Sequence, residues 1–159
     1  HFAGELFRIM AGIDVVHIPF MGIPEATTET ITGRIQFFIS PFASAFNLVK
    51  DGKAIAVAVT SAKRMTIAPD LPTVAESGLP GYRWDFWYAM LAPAKTPQPV
   101  LRRLHEGITQ VLRLPDTKER WSALGAEPAP STPGELDKLI ADEIATYTKI
   151  ARAAGIKAQ

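Results

Sequence analysis

An almost uninterrupted apolar run at residues 54–59, AIAVAV, limits the folds open to this chain more than any other feature. The run is of strand length, and its continuous apolar character predicts burial on both faces, as in a parallel sheet covered by helices. Runs rich in β-branched or aromatic residues at 15–18, 35–39 and 84–92 are further predicted strands. Patterns typical of helices alternate with the first three runs, so the sequence predicts an α/β fold.

Clear start and stop signals bound the helices that alternate with these strands. A helix is predicted over residues 1–10, with Gly12 placed to end it in the left-handed conformation. Residues 25–31 are predicted as a second helix, for which Pro24 suits the first position. Residues 42–50 have the apolar spacing of a third helix.

The chain changes character after residue 93, where strand patterns give way to helices. Residues 98–113 carry an apolar stripe at helical spacing. Asp116 with Glu119, and Thr132 with Glu135, have the spacing of capping boxes that open two further helices. This shift in composition predicts an organisational boundary near the fourth strand.

Composition excludes several classes of protein. The 159 residues carry 17 Lys and Arg against 16 Asp and Glu without basic runs, so nucleic acid is not an expected partner. The absence of Cys excludes disulfides and thiolate metal sites. No apolar stretch approaches the roughly 20 residues of a membrane-spanning helix, so no direct membrane insertion is expected.

The sequence also lacks recognisable catalytic machinery. His1, His17 and His105 are far apart and form no helical zinc-binding pair. No nucleophile elbow, phosphate-binding loop or dinucleotide-binding glycine motif occurs. We therefore predict no catalytic residue, no metal and no cofactor, and we interpret His17 as a core or surface residue of its strand.

Three predicted strand ends are followed by small or polar residues, at 19–24, 40–44 and 60–61. Ligands of open α/β sheets bind beyond the carboxyl ends of the strands, and helix N-termini present N–H groups that favour anions. These loops could together hold a carboxylate. They could equally do no more than connect the elements, and the residues alone leave both interpretations open.

Several long segments closely resemble the Bug-type receptors of tripartite tricarboxylate transporters. The most specific are TSAKRMTIAPDLPTVAESGLPGY at 60–82 and WYAMLAPAKTP at 87–97. Matching patterns occur in HFAGELF at 1–7, VHIPFMGIPEATTETITGRIQFF at 16–38 and LGAEPAPSTPGEL at 124–136. With KIARAAGIK at the end of the chain, the resemblance covers the whole sequence.

The resemblance implies a type II periplasmic-binding-protein-like fold with two lobes and a ligand between them. Residues 1–86 are then expected to form the second, ligand-binding lobe, truncated at its N-terminal side. Residues 87–159 are expected to form the return strand and the C-terminal helices that belong to the first lobe. A signal peptide and a first lobe are expected upstream, with periplasmic localisation and delivery of a small organic acid to membrane permease subunits.

The resemblance and the strand ends together indicate a set of ligand-binding residues. Met21 stands where a Lys is frequent in the family, and Ser40 where an Asp is frequent. A non-catalytic interaction module is the main alternative function, and a small-molecule enzyme is a third. The expected ligand-binding residues are His1, Phe20, Met21, Gly22, Pro24, Glu25, Ala26, Ser40, Pro41 and Thr60.

Overall fold

The computed structural model describes residues 1–156. These residues divide into two compact units, of which the first is His1–Phe86 with the described residues from Lys149 onward, and the second is Trp87–Thr148. The assignment of residues 1–86 and 87–159 to two lobes of a receptor stays a prediction. The helices, in chain order, are α1 Phe2–Ala11, α2 Ile23–Ile31, α3 Phe42–Lys50, α4 Gln98–Arg113, α5 Pro115–Ala123 and α6 Pro133–Ala154.

The helices of the first unit lie where the sequence predicted them. Gly12 ends α1 with φ 63, and its N–H donates to the carbonyl of Arg8. This left-handed conformation is easily reached only by glycine, which explains the sharp end of the helix. Gly22 is the N-cap of α2, and Pro24 lies in its first turn. Pro41 is the N-cap of α3.

Tyr82 is the centre of the small core of the first unit. Its side chain is 1% exposed, and its hydroxyl donates to the carbonyl of Ala3 at 3.0 Å. Phe7 packs edge to face on Tyr82 at 5.9 Å between ring centroids, and on Phe37 at 6.0 Å. Burial raises the pKa of Tyr82 to about 12 because the apolar surroundings disfavour the phenolate. These contacts attach α1 to the segment around residue 82.

The predicted strands do not pair with one another among the described residues. Residues 15–18, 35–39 and 84–92 form no strand ladder there, and the run at 54–59 contributes a single parallel bridge between Val59 and Thr73. Burial of this run on both faces was also wrong, since Ile55 is 90% and Val57 78% exposed. An apolar pattern expresses a preference for extended backbone, but a strand also needs a neighbour for its N–H and C=O groups.

The chain exposes more surface than self-contained globular units of its size. Its accessible surface is 11750 Å², whereas two separate compact units with the same total mass would expose roughly 9,400 Å². The large apolar side chains that contribute to the excess include Ile55, Val57, Tyr88, Met90 and Leu91. These side chains lie in predicted strands that form no ladder among the described residues.

The second unit is helical, and local hydrogen bonds fix its ends. The capping box that opens α6 is confirmed, because the Thr132 N–H donates to Glu135 at 2.7 Å and the Glu135 N–H to Thr132 Oγ1 at 3.2 Å. The predicted box at Asp116 was wrong. Since α5 already begins at Pro115, Asp116 lies inside the helix, where it accepts a 3.0 Å bond from Arg120.

Among the described residues, no helix has the length and apolar character to cross a membrane.

Candidate ligand-binding site

The N-terminus of α2 is the most open polar feature among the predicted site residues. Gly22 has an extended backbone with φ 179 at the N-cap position, and its carbonyl accepts the N–H of Ala26 at 3.3 Å. The amides of Ile23 and Glu25 lie in the first turn, where a helix supplies no acceptor of its own. Ala26 is 5% exposed and anchors this turn to the first unit. The turn therefore offers backbone donors to a ligand from a fixed position.

Met21 and Glu25 form a local contact at the same helix start. The Met21 N–H donates to Oε2 of Glu25 at 3.0 Å, while the Met21 side chain is 99% exposed. The Glu25 carboxylate thus lies beside the turn where an anionic ligand was expected. The neighbouring Phe20 is half-buried and precedes this contact in the chain.

His1 lies at the N-terminus of α1 and stacks on His17. The two imidazole centroids are 3.9 Å apart, and the ring planes differ by 8°. Nε2 of His1 is also 3.9 Å from a carboxylate oxygen of Glu5, which Arg8 contacts at 2.9 Å. The stack joins the start of α1 to the segment that leads into Phe20 and the turn of α2.

His17 is not among the site residues predicted from the sequence. Its place in a predicted strand indicated a core or surface residue, and the structure shows an exposed residue whose ring covers that of His1. The two residues are distant in sequence, so helix or strand periodicity carries no signal for their contact. The available signal was that both residues are histidines beside predicted ligand-binding segments. His1 opens the first predicted helix, and His17 precedes the loop at residues 19–24.

Ser40 and Pro41 contact each other, whereas Thr60 contacts Trp84. Ser40 Oγ donates to the Pro41 carbonyl at 3.2 Å, and the carbonyl of Thr60 accepts the Trp84 N–H at 2.8 Å. Ser40, Pro41 and Thr60 are all half-buried. Their arrangement around the turn of α2 in a common concave surface stays a prediction.

A shallow groove of about 200 Å³ lies elsewhere, in the second unit, between α4 and the start of α6. His105 contacts the carbonyl of Ser131 at 2.9 Å there, and the groove also borders Thr132 and Glu135. The hydrogen bonds from Thr132 hold the pKa of Glu135 below its usual value. Thr132 and Glu135 are occupied in capping α6, and none of the predicted site residues lines the groove.

Comparison with known proteins decides the family. Residues 1–156 match the family described as tripartite tricarboxylate transporter family receptor. The chain belongs to this family. The match confirms the resemblance seen in the sequence and extends over the full set of described residues.

Curated relatives of the chain are similar in sequence and longer. A protein of Agrobacterium vitis from the TAR-I ttuE-ttuC' intergenic region is 32% identical over 155 residues, which are 96% of this chain and 45% of that protein. Protein BugT of Bordetella pertussis is 30% identical over 157 residues, 99% of this chain and 48% of BugT. The chain therefore spans about half the length of these relatives.

Similar solved structures confirm the fold class. Rpa4515 of R. palustris, described with adipate, superposes with a TM-score of 0.88 at 30% identity over 98% of this chain and 52% of that chain. MatC from Rhodopseudomonas palustris, described with bound malate, gives 0.79 at 26% identity over 94% and 52%. The periplasmic binding protein BugD gives 0.78 at 28% identity over 100% and 54%. The chain thus has the fold of part of a periplasmic binding protein.

Among the described residues, no group of three or more His, Cys, Asp or Glu side chains could hold a metal ion. The polar groups at the predicted site are backbone amides, the Glu25 carboxylate, the His1 imidazole and the hydroxyls of Ser40 and Thr60. Such groups can orient a small polar solute by hydrogen bonds.

Proposed function

We propose that this chain is the ligand-binding part of a periplasmic receptor that captures a small carboxylate-type solute and delivers it to tripartite tricarboxylate transporter permease subunits. Family membership and the open helix start at Gly22–Ala26 support the proposal. Adipate and malate in the descriptions of two similar structures point to carboxylates as the ligand class. In this proposal the receptor binds its solute without transforming it.

The proposed organisation has residues 1–86 as the second lobe and residues 87–159 as the return strand and helices of the first lobe. Relatives of about twice the length supply further sequence that could pair with the extended segments and cover Ile55, Val57 and Tyr88. In a receptor of that length, the ligand would lie between the lobes. Closure would then exclude water and strengthen hydrogen bonds to the turn of α2.

The same exposed side chains are the observation that favours an interaction module as the second candidate. Patches of this kind mark contact surfaces, whether with another protein or with the rest of the same protein. We favour contact with the rest of the same protein, because the exposed residues lie in predicted strands, and the backbone groups of a strand also need a neighbour. A surface built only for a partner would not require a predicted strand such as residues 54–59 to lack a ladder among the described residues.

Calorimetry on the complete gene product that carries this sequence tests the proposal. Citrate, succinate, glutamate and nicotinate are the first ligands, with adipate and malate added from the structural comparisons. We expect stoichiometric binding of at least one carboxylate, and recovery of the bound solute unchanged by NMR. Absence of binding across the panel would contradict a carboxylate receptor, and conversion of a ligand would contradict a non-catalytic one.

A further inference from the structure

The chain passes between its two compact units at two places. The first crossing lies between Phe86 and Trp87, and the second between Thr148 and Lys149. The second crossing falls inside α6. Beyond Gly134, α6 contains neither proline nor glycine, and sharp kinks in helices occur mostly at such residues or at breaks in the hydrogen-bond ladder. The second crossing is therefore stiff.

The first crossing is not helical, and a side chain attaches it to α6. Residues 82–93 form neither helix nor strand in the described part of the chain. Trp87 is the first residue of the second unit, and its indole N–H donates to Oε1 of Glu143 on α6 at 2.9 Å. This bond fixes the start of the second unit to the helix that carries the other crossing.

Tyr147 holds the same carboxylate from one turn further along α6. Its hydroxyl donates to Oε2 of Glu143 at 2.7 Å. Burial, with a smaller contribution from the bond to Glu143, raises the pKa of Tyr147 to about 12, so the hydroxyl keeps its proton at neutral pH. One oxygen of Glu143 thus accepts from a residue at the first crossing, and the other accepts from a residue beside the second.

The three side chains are matched in their chemistry. An indole N–H can only donate, so Trp87 requires an acceptor on α6. An ionised carboxylate is the strongest acceptor that a side chain offers, and its bonds are about twice as strong as neutral ones. Because the two donors bind separate oxygens, Tyr147 also limits the rotation of the Glu143 carboxylate away from Trp87.

We propose that Glu143 is a positioning residue that couples the two crossings, so that the chain changes conformation at both of them together. The inference rests on the proposed function, in which the receptor closes around a solute. Coupled crossings keep a larger share of the free receptor in the conformation that accepts a solute. Without the coupling, other conformations become populated, and the apparent affinity falls with the fraction that remains competent. Glu143 acts through Trp87 and does not contact the solute.

Stopped-flow fluorescence on the complete gene product tests this role. The probe is the tightest-binding member of a panel of citrate, succinate, glutamate, nicotinate, adipate and malate. Glu143→Ala should lower the association rate by about threefold to tenfold and leave the dissociation rate within about twofold, because the competent fraction falls while the contacts to the solute stay the same. Trp87→Phe should have the same effect, and the double variant should be no slower than either single one, since both substitutions remove one contact.

A conservative variant separates this role from a general contribution to stability. In Glu143→Gln, the amide oxygen can accept the Trp87 N–H and the amide N–H can donate to the Tyr147 oxygen, so the association rate should stay within about twofold of the wild type. Asp142→Ala is the control, because Asp142 is the neighbouring carboxylate on α6 and pairs with Lys138 at 2.6 Å. It should leave both rates unchanged.

The indole N–H of Trp87 gives a readout that needs no solute. Its NMR signal, assigned by its loss in Trp87→Phe, should exchange with solvent about tenfold faster in Glu143→Ala than in the wild type, and at nearly the wild-type rate in Glu143→Gln and Asp142→Ala. Thermal unfolding of each variant confirms that the fold is retained.

An unchanged association rate in Glu143→Ala would overturn the inference while leaving the receptor function intact. The same holds for an equal fall in Asp142→Ala, or for a fall in Glu143→Gln as large as in Glu143→Ala. An indole signal that exchanges equally fast in wild type and Glu143→Ala would also overturn it. Failure of the wild type to bind any carboxylate of the panel would instead overturn the proposed function, and the inference with it.

Discussion

The ring of His17 lies face to face on the ring of His1, with 3.9 Å between the centroids and 8° between the planes. This contact connects the N-cap of α1 to the segment that leads into the N-terminal turn of α2, the candidate ligand-binding turn. His1 also contacts Glu5, which pairs with Arg8 on α1. The position of His1 therefore depends on α1 and on the segment that contains His17. The His17 ring is thus a support for one of the predicted site residues.

Replacing His17 tests this support. His17→Ala removes the stacked ring and should lower the free energy of unfolding by about 0.5–1.5 kcal/mol, the usual contribution of an aromatic pair. His17→Phe keeps a ring of similar shape and should stay within about 0.5 kcal/mol of the wild type. Urea unfolding of both variants measures the difference. Equal stability of the Ala and Phe variants would show that the stack contributes nothing.

The conformation of Gly22 makes this residue a probe of the N-terminal turn of α2. Its φ of 179 excludes proline, whose ring fixes φ near −65°. A β-carbon there would meet Pro24 at an ordinary 3.6 Å, so Gly22→Ala is the matched control. In the complete gene product we expect Gly22→Pro to weaken carboxylate binding by roughly tenfold or more, with little effect from alanine. Unchanged affinity in Gly22→Pro would remove this turn from the site.

Tyr82 predicts a specific dependence of stability on alkaline pH. Burial raises its pKa to about 12, above the value of about 10 in an unfolded chain. The folded state thus favours the neutral phenol, and its contribution to stability is complete below about pH 10 and is lost as pH rises towards 12. Tyr82→Phe should remove this loss, and at neutral pH it should cost about 1–3 kcal/mol because the Ala3 carbonyl loses its donor.

Urea unfolding from pH 8 to 11 measures both effects of the Tyr82 substitution. An alkaline loss of the same size in wild type and Tyr82→Phe would contradict the assignment to this buried hydroxyl.

Hydrogen exchange tests the unpaired strands. In the 159-residue chain, the amides of residues 55–58 should exchange rapidly because no ladder protects them, whereas the Ala54 amide donates to the Leu48 carbonyl at 3.2 Å. In the complete gene product they should be protected by about a hundredfold or more, as expected for a strand inside a sheet. The Val59 amide is an internal reference, since it donates to the Pro72 carbonyl at 2.9 Å in this structure. Equal protection of these amides in both proteins would contradict the inference that this strand lacks a sheet neighbour in the 159-residue chain.

The features that the sequence predicted correctly are those decided by neighbouring residues. Gly12 and the Thr132–Glu135 box were identifiable because a left-handed glycine and a three-residue spacing act within one turn. The box at Asp116 failed because Pro115 opened the helix first. Local competition of this kind is not visible in a spacing rule.

The features that could not be predicted depend on residues far apart in the chain. Strand pairing for residues 54–59 needs a neighbour that the run itself does not encode. The His1–His17 stack joins two segments that no periodic pattern relates. For the site, the loop at residues 19–26 followed from strand-end chemistry and the family resemblance, but the contact of Glu25 with Met21 required coordinates.

The most direct test of the account compares carboxylate affinity in the 159-residue chain and in the complete gene product. In the proposed receptor both lobes hold the solute, so the chain alone would keep the amides of the α2 turn but would lack the donors of the other lobe. Each lost hydrogen bond to a charged group is worth about 1.5–3 kcal/mol, so loss of two or three weakens binding by roughly a hundredfold or much more. Calorimetry should find micromolar binding in the complete protein and millimolar or undetectable binding in the chain alone. Equally tight binding by both would contradict a site between two lobes.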